Sequence, residues 1–284
     1  MVPYIHLPTY QLGPVPLDPW GLLVTTGFVL GLEIARARGI QKGLDVRDVV
    51  DGVVFTVLMG FVVGHLVHVL AYHPEKYEKD GIASLYRIWE GFSSYGGFLG
   101  AVIGNVLFYR VIRPRPYLAH ADVVMYAFPF AWIFGRAGCA IVHDHIGRPT
   151  TFPLGVNFDT MLEGMGVRHD LGLYECLLAM VISAVFFAVR KRAWPAGSFL
   201  VLWCVLYAPV RFFMDFLRRT DELPGFPTAD VRWAGLTPAQ WGSLTMFAAG
   251  LVLWARIRRA AHPRTHTPAA TSALHSPGDT PSGT

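Results

Sequence analysis

The sequence predicts an all-α polytopic membrane protein of seven transmembrane helices, with the N-terminus outside (periplasmic) and the C-terminus in the cytoplasm. Three observations carry that fold class. The 284-residue chain is 53% hydrophobic and only 15% charged, whereas about a quarter of the residues in a soluble domain are charged. Seven stretches are apolar over roughly the 20 residues that a spanning helix needs. The connections between them are mostly short and begin or end in Pro, Gly or a charge, as breaker signals should.

The first stretch, 18–36, ends at Arg36, and no Lys or Arg precedes that residue. The basic start of a cleaved signal peptide is therefore missing, and this stretch is expected to remain in the membrane. The second, 49–72, starts after Arg47–Asp48 and stops before His73–Pro74. The third, 95–112, opens on Tyr95–Gly96–Gly97 and closes at Arg113–Pro114, and the fourth, 119–141, reaches Arg136 near its end. The fifth, 173–189, stops at Arg190–Lys191–Arg192; the sixth, 197–217, runs from Gly197 to Arg218–Arg219; the seventh, 237–256, ends at Arg256. The longer connections, 73–94 and 142–172, are too polar and too broken to span. From about His262 the chain is Pro, Ser, Thr and Ala without periodicity, so residues 1–260 are expected to form the membrane domain and 261–284 a disordered cytoplasmic tail.

Orientation follows from the basic residues near the helix ends. The connections after the first, third and fifth helices, with the start of the tail, hold fourteen: Arg36, Arg38, Lys42, Arg47, Arg110, Arg113, Arg115, Arg190, Lys191, Arg192, Arg256, Arg258, Arg259 and Arg264. The other side holds eight: Lys76, Lys79, Arg87, Arg148, Arg168, Arg218, Arg219 and Arg232. The net charge of +4 is small and its basic residues lie in short clusters between apolar runs. That distribution sets membrane orientation and argues against nucleic acid as a partner.

With direction assigned, the polar residues fall at one depth. His65 and His68 lie near the outer end of the second helix, Arg136 near that of the fourth, and Tyr207, Arg211, Asp215 and Arg218 in the last turns of the sixth. The third, fifth and seventh helices start on the same side with Tyr95, with Tyr174 and Glu175, and with Gln240. Arg211, Asp215 and Arg218 are spaced i, i+4 and i+7 and share one helix face. Facing lipid, an ionised side chain costs at least about 2.5–3.5 kcal/mol, so this face is expected to point into the bundle. Arg136 has no acid within a helical turn; its counter-charge is expected from another helix or from a ligand phosphate, which guanidinium pairs bidentately.

Cys139, Cys176 and Cys204 all fall in apolar segments without disulfide or metal-ligand spacing and are expected to be small buried residues. His143 and His145 lack the i, i+4 spacing of a helical zinc pair, so neither a metal nor a cofactor is expected. As proton acceptors, the outer histidines His65, His68, His143, His145 and His169 rank above Tyr95, because an unperturbed tyrosine has a pKa near 10. Gly96 and Gly97 allow close backbone approach, and Gly147, beside Arg148–Pro149, is expected at a turn with positive φ.

Five segments together resemble the phosphatidylglycerol–prolipoprotein diacylglyceryl transferases of bacterial inner membranes, over nearly the whole chain up to the tail. "GRAGCAIVHDHIGRPT" is similar to the family signature GRxGN with a following glutamate and a later glycine, and "RIWEGFSSYGGFLG" to a segment ending in HGG or YGG. "RHDLGLYE" resembles HPxQLYE, "YAPVRFFMDFLRRTDE" the pattern Y-G-x-x-R-F-x-x-E-F-x-R-x-x-D, and "GLTPAQWGSLTM" the pattern G-x-T-x-G-Q-x-x-S. The resemblance implies transfer of the sn-1,2-diacylglyceryl group of phosphatidylglycerol to the lipobox cysteine thiol of a prolipoprotein signal peptide. By it, Arg136 and Arg211 match two functional arginines, Tyr207 the tyrosine before the second, Asp215 the glutamate and Arg218 the last arginine. Tyr95 takes the place of the family's histidine or tyrosine, and Asp144 that of the signature's glutamate. Catalytic roles are thus expected for Arg136, Arg211, Tyr95, Tyr207 and Asp215. Substrate contacts are expected from Arg218, Cys139, Asp144, Gly147, Gly96, Gly97, His65, His143 and His169.

Such a reaction needs fixed positive donors where the leaving glycerol phosphate gathers charge, and a means of deprotonating a thiol whose intrinsic pKa is about 8.5. The chain departs from the pattern at Cys139 (family asparagine), Trp20 (tyrosine), His65 (arginine) and in HDLGLYE, which lacks the Pro and Gln. Two other readings follow: a divergent member that binds or modifies an anionic lipid without lipoprotein transfer, and a small-solute transporter, for which repeated halves would be expected.

Overall fold

In the computed structural model the protein is described over residues 1–261, except 6, 14, 89, 160, 162 and 222–231. It is mostly helical. Among the described residues, six helices are long and apolar enough to cross a membrane: α1 (Pro19–Gln41), α2 (Val46–Val67, continued by a π-helical turn to Tyr72), α5 (Ser94–Leu107, continued likewise to Ile112), α6 (Tyr117–Val142), α7 (Leu171–Val189) and α8 (Ser198–Met214, continued to Leu217). A further 24-residue helix, α9 (Pro238–Ala261), lies along α8, its apolar run diluted by Gln240, Ser243 and Thr245. Two short helices, α3 (Pro74–Asp80) and α4 (Ala83–Tyr86), occupy the connection between α2 and α5. The expected tail lies, from residue 262 onward, outside the described residues.

Helix starts follow local chemistry. Asp18 accepts from the Gly21 amide at 3.0 Å with Pro19 as first helical residue, and Asp45 and Asp170 cap α2 and α7 in the same way. Each side chain satisfies a donor that the first helical turn leaves open. The cap of α8 comes from another helix: Asp122 of α6 accepts from the amides of Phe199 and Leu200 at 2.6 and 3.3 Å.

α6 is the hub. It packs along α1 on one side, along α7 and α8 on another, and touches α2. Tyr126 of α6, Ile182 and Phe186 of α7, and Phe199, Trp203 and Tyr207 of α8 form the main apolar core. A smaller core joins Ala35, Val49, Val123 and Ala127 from α1, α2 and α6. Outward faces carry exposed Phe28, Val29, Leu58, Val62, Val102, Val181, Phe187 and Val252. So much exposed apolar surface on long helices fits a lipid-facing exterior.

Two small antiparallel sheets depart from the all-α expectation, although the protein remains mostly helical. A hairpin pairs β1 (Tyr10–Leu12) with β2 (Val15–Leu17), and the long connection after α6 folds into β3 (Ile146–Pro149), β4 (Val156–Asn157) and β5 (Val167–Asp170), ordered β3-β5-β4. Ile146, Val156, Phe158 and Met165 give this second sheet its own apolar core, closed by Val2 and Tyr4. Strands this short carry too little alternation to be read in sequence.

Helices α2 and α5 pack backbone against backbone. A Cβ at Gly100 would lie 2.3 Å from the Met59 carbonyl oxygen, whereas one at Gly135 would meet nothing nearer than 3.9 Å. Gly100→Ala is therefore expected to cost about 1–3 kcal/mol by overpacking. Gly135→Ala is expected to stay within about 0.5 kcal/mol. Thermal unfolding of the two variants in detergent measures the difference, and equal midpoints would count against this packing.

Candidate active site

The antiparallel helices bring the ends of α6 and α8 and the starts of α7 and α9 to one side of the molecule, and the charged side chains meet there. Glu175 of α7 is the centre, 1% exposed. Its Oε2 lies 3.0 Å from Nε of Arg136 and accepts the Tyr207 hydroxyl at 2.8 Å, while its Oε1 lies 3.2 Å from Nε of Arg211. The Arg136 N–H is poorly aligned on the carboxylate, so that contact is charge against charge rather than a well-formed hydrogen bond. Arg136 also stacks over Trp132, 4.5 Å from the ring centroid, and directs Nη1 at the Cys139 sulphur at 3.9 Å.

Asp215 anchors the second half. It accepts from Arg211 at 2.7 Å and from Arg218 at 2.5 Å, and Thr237 at the start of α9 donates its hydroxyl to the other oxygen. Gln240 accepts from the Thr237 amide at 3.0 Å and donates to the Phe212 carbonyl at 3.3 Å. Arg211 and Asp215 therefore point inward, as their spacing indicated, whereas Arg218 lies past the helix end with extended backbone and reaches Asp215 from there. Among the described residues of the cluster, three guanidiniums stand against two carboxylates.

The counter-charge of Arg136 is thus a protein carboxylate on another helix. In the sequence Glu175 is only a polar residue at a helix start, because residues on different helices have no spacing to reveal their pairing. The one available signal was its place at the end of the HDLGLYE segment.

Other expected site residues lie in different surroundings. Tyr95, 41% exposed at the start of α5, is close enough to Arg211, Asp215 and Arg218 to feel their charges, and its hydroxyl faces the start of α9 near Gly242. Gly96 and Gly97 are packing positions: added methyls would meet the Val63 carbonyl at 2.8 Å and the Phe92 ring at 2.5 Å. His65, 1% exposed, sits with its ring nitrogens 3.0 and 2.9 Å from the Gly91 and Ser84 carbonyls and ties the connection before α5 to α2.

His143 ends α6 in a left-handed conformation, φ 51°. Its Nδ1 is 2.5 Å from Asp170, its Nε2 is 3.3 Å from the Ile5 carbonyl, and its ring stacks on Tyr4. Both nitrogens of His65 and of His143 are thus occupied by the fold, which removes them as free bases. Gly147 has no positive φ; it lies in β3, bridged to Arg218, and is glycine because a Cβ would meet the Leu217 carbonyl at 2.6 Å.

His169 in β5 contacts the Tyr174 hydroxyl at 2.9 Å, and burial pushes its pKa below the usual histidine value of 6.5. In the same strand Arg168 grips Asp221 with two bonds, of 2.7 and 3.3 Å, tying the sheet to the segment after α8. The Arg168 guanidinium holds the Asp221 carboxyl below the usual aspartate value of 3.8. Asp144 is exposed, and its carboxylate touches the ring of His145.

The residues 9–256 match the profile of the prolipoprotein diacylglyceryl transferase family. The chain belongs to that family. The phosphatidylglycerol–prolipoprotein diacylglyceryl transferase of Nitratidesulfovibrio vulgaris is 33% identical over 91% of this chain and 96% of its own. The enzymes of the same name from Bordetella bronchiseptica (30%; 89% of this chain, 95% of its own) and Nitrosomonas europaea (32%; 86% and 88%) match similarly. Membership makes this family chain a multi-pass membrane transferase of lipoprotein biosynthesis and sets aside the lipid-binding and transporter readings.

Removing one member of a buried charge network strands its partners and costs about 3–5 kcal/mol. Glu175→Gln is expected to lower stability by that amount, and Tyr207→Phe by about 1.5–3 kcal/mol, the worth of a hydrogen bond to a charged group. Thermal unfolding measures both, and a Glu175→Gln protein as stable as the parent would remove Glu175 from the centre of the cluster.

Proposed function

We propose that this protein moves the diacylglyceryl group of phosphatidylglycerol onto the lipobox cysteine thiol of a prolipoprotein signal peptide, in the bacterial inner membrane. The observation that carries the reading is the pair of guanidiniums, Arg136 and Arg211, held by the one buried carboxylate of Glu175. A guanidinium has more N–H donors than these contacts use, so the pair can hold the phosphate of the lipid and then the charge that gathers on it. Tyr207 and Asp215 are positioning residues: one fixes Glu175 and the other orients Arg211 and Arg218. Cys139 faces Arg136, Arg218 shares Asp215 with Arg211, and Tyr95 lies near both Arg211 and Arg218.

For the thiol, the Asp144–His145 pair beside Cys139 is the suitable acceptor. The proton passes from sulphur to a ring nitrogen of His145. The sulphur then forms its bond to the glyceryl carbon as the bond from that carbon to the phosphate oxygen breaks, and the electron pair leaves with glycerol phosphate. We also infer that α9 is a seventh span, with the N-terminus periplasmic and the C-terminus cytoplasmic, supported by the fourteen-to-eight distribution of basic residues.

Purified protein, phosphatidylglycerol and a lipobox peptide test the proposal by mass spectrometry. The peptide is expected to gain a diacylglyceryl group, and Arg136→Ala and Arg211→Ala are each expected to slow this by about 100-fold or more, the scale of losing one charge-stabilising donor. His145→Ala is expected to lower the rate most at neutral pH and to recover part of it at alkaline pH, where the thiol ionises unaided. No mass gain with wild type, or unchanged rates in both arginine variants, would overturn the proposal.

A further inference from the structure

We propose that Cys139, Asp144 and His145 form a binding site for a zinc-class divalent cation at the end of α6. The Cys139 sulphur, an Asp144 carboxylate oxygen and a His145 ring nitrogen lie within 4.8 Å of one another. Among the described residues, no other three cysteine, histidine or acidic side chains gather in this way. The geometry arises from one backbone feature. His143 adopts the left-handed conformation that stops α6 at Val142, and the chain turns back so that residues 144 and 145 return over the last helical turn, where Cys139 sits. Linear spacing gave no hint of this, because a helical continuation would have carried residue 145 away from Cys139.

The donor set suits the cation. Thiolate, imidazole and carboxylate are the three common zinc ligands, at roughly 2.3, 2.0 and 2.1 Å from the metal. Ligand atoms in such a tetrahedron are roughly 3.3–3.8 Å apart, so the trio reaches that spacing by side-chain adjustment. Asp144, with 42% of its side chain exposed, is free to do this by rotation, and it leaves the site open to the aqueous side. Charge also balances: thiolate and carboxylate together neutralise a divalent cation, and the neighbouring Arg136 then meets no net positive charge. Binding displaces the thiol proton to water. The fourth position is left for water or another ligand, as in zinc sites that are not purely structural.

Occupancy takes the His145 nitrogen and engages the sulphur that Arg136 faces at 3.9 Å. Zinc is therefore expected to slow the transfer proposed above. That second effect rests on the proposed function; the binding itself does not.

Cobalt(II), added to chelator-treated full-length protein in detergent, is the probe. Wild type is expected to show a thiolate-to-cobalt charge-transfer band that zinc removes. Cys139→Ser is expected to abolish the band, Cys176→Ser to keep it, and His145→Ala to weaken cobalt binding by more than about 10-fold. If Cys139→Ser does not fold, His145→Ala and Asp144→Asn carry the test. Absence of the band in wild type, its persistence in Cys139→Ser, or unchanged affinity in His145→Ala and Asp144→Asn would overturn the site, whatever the transfer assay shows.

Discussion

A single buried carboxylate organises this protein's charged end. Glu175 meets Arg136 from α6 and Arg211 from α8 and accepts a hydrogen bond from Tyr207, so three helices converge on two oxygen atoms. Guanidiniums at this depth, without that carboxylate, would each carry an uncompensated charge into an apolar surround, at a cost of several kcal/mol. The carboxylate alone would be equally costly. Their mutual dependence fixes the rotation of α6, α7 and α8 about their axes, and the aromatic core of Tyr126, Phe186, Phe199 and Trp203 packs where that rotation places it.

The same arrangement joins architecture to chemistry. Asp215 extends the network to Arg218 and, through Thr237, to the start of α9. Arg136 and Arg211 share the one carboxylate of Glu175, and the N–H donors they do not spend on it are what an anionic headgroup would engage. Binding of a phosphate thus continues an electrostatic pattern that the helices already need for their own packing. The protein does not have to open a preformed ion pair completely, since donors on both guanidiniums remain beyond those that Glu175 and Asp215 engage.

Much of the fold was legible because bilayer chemistry writes long, uniform signals. The six apolar helices begin and end within a few residues of the stretches read from composition, apart from α1, which continues to Gln41. Arg211 and Asp215 were legible as one inward face because they lie a turn apart at the end of one helix; Arg218 joins them from extended backbone past that helix, which the periodicity did not show. Glu175 as the partner of both arginines was not, since the three residues lie on three helices and pairing across helices leaves no periodicity. The small sheets were hidden for a related reason: strands of two to four residues take their stability from Phe158, Met165, Val2 and Tyr4, which lie outside those strands. The outer histidines looked interchangeable in sequence. Packing separated them, assigning His65 and His143 to structural ties and leaving His145 beside Cys139.

The dependence of Arg136 on Glu175 is open to a double-mutant cycle: Arg136→Gln, Glu175→Gln and the double variant, compared by unfolding in the same detergent. Residues in one buried network show coupling energies of about 0.5–3 kcal/mol. A coupling of at least about 1 kcal/mol is expected, with the double variant more stable than the sum of the single losses allows. Losses that simply add would contradict the bridge and leave the two arginines to be explained separately.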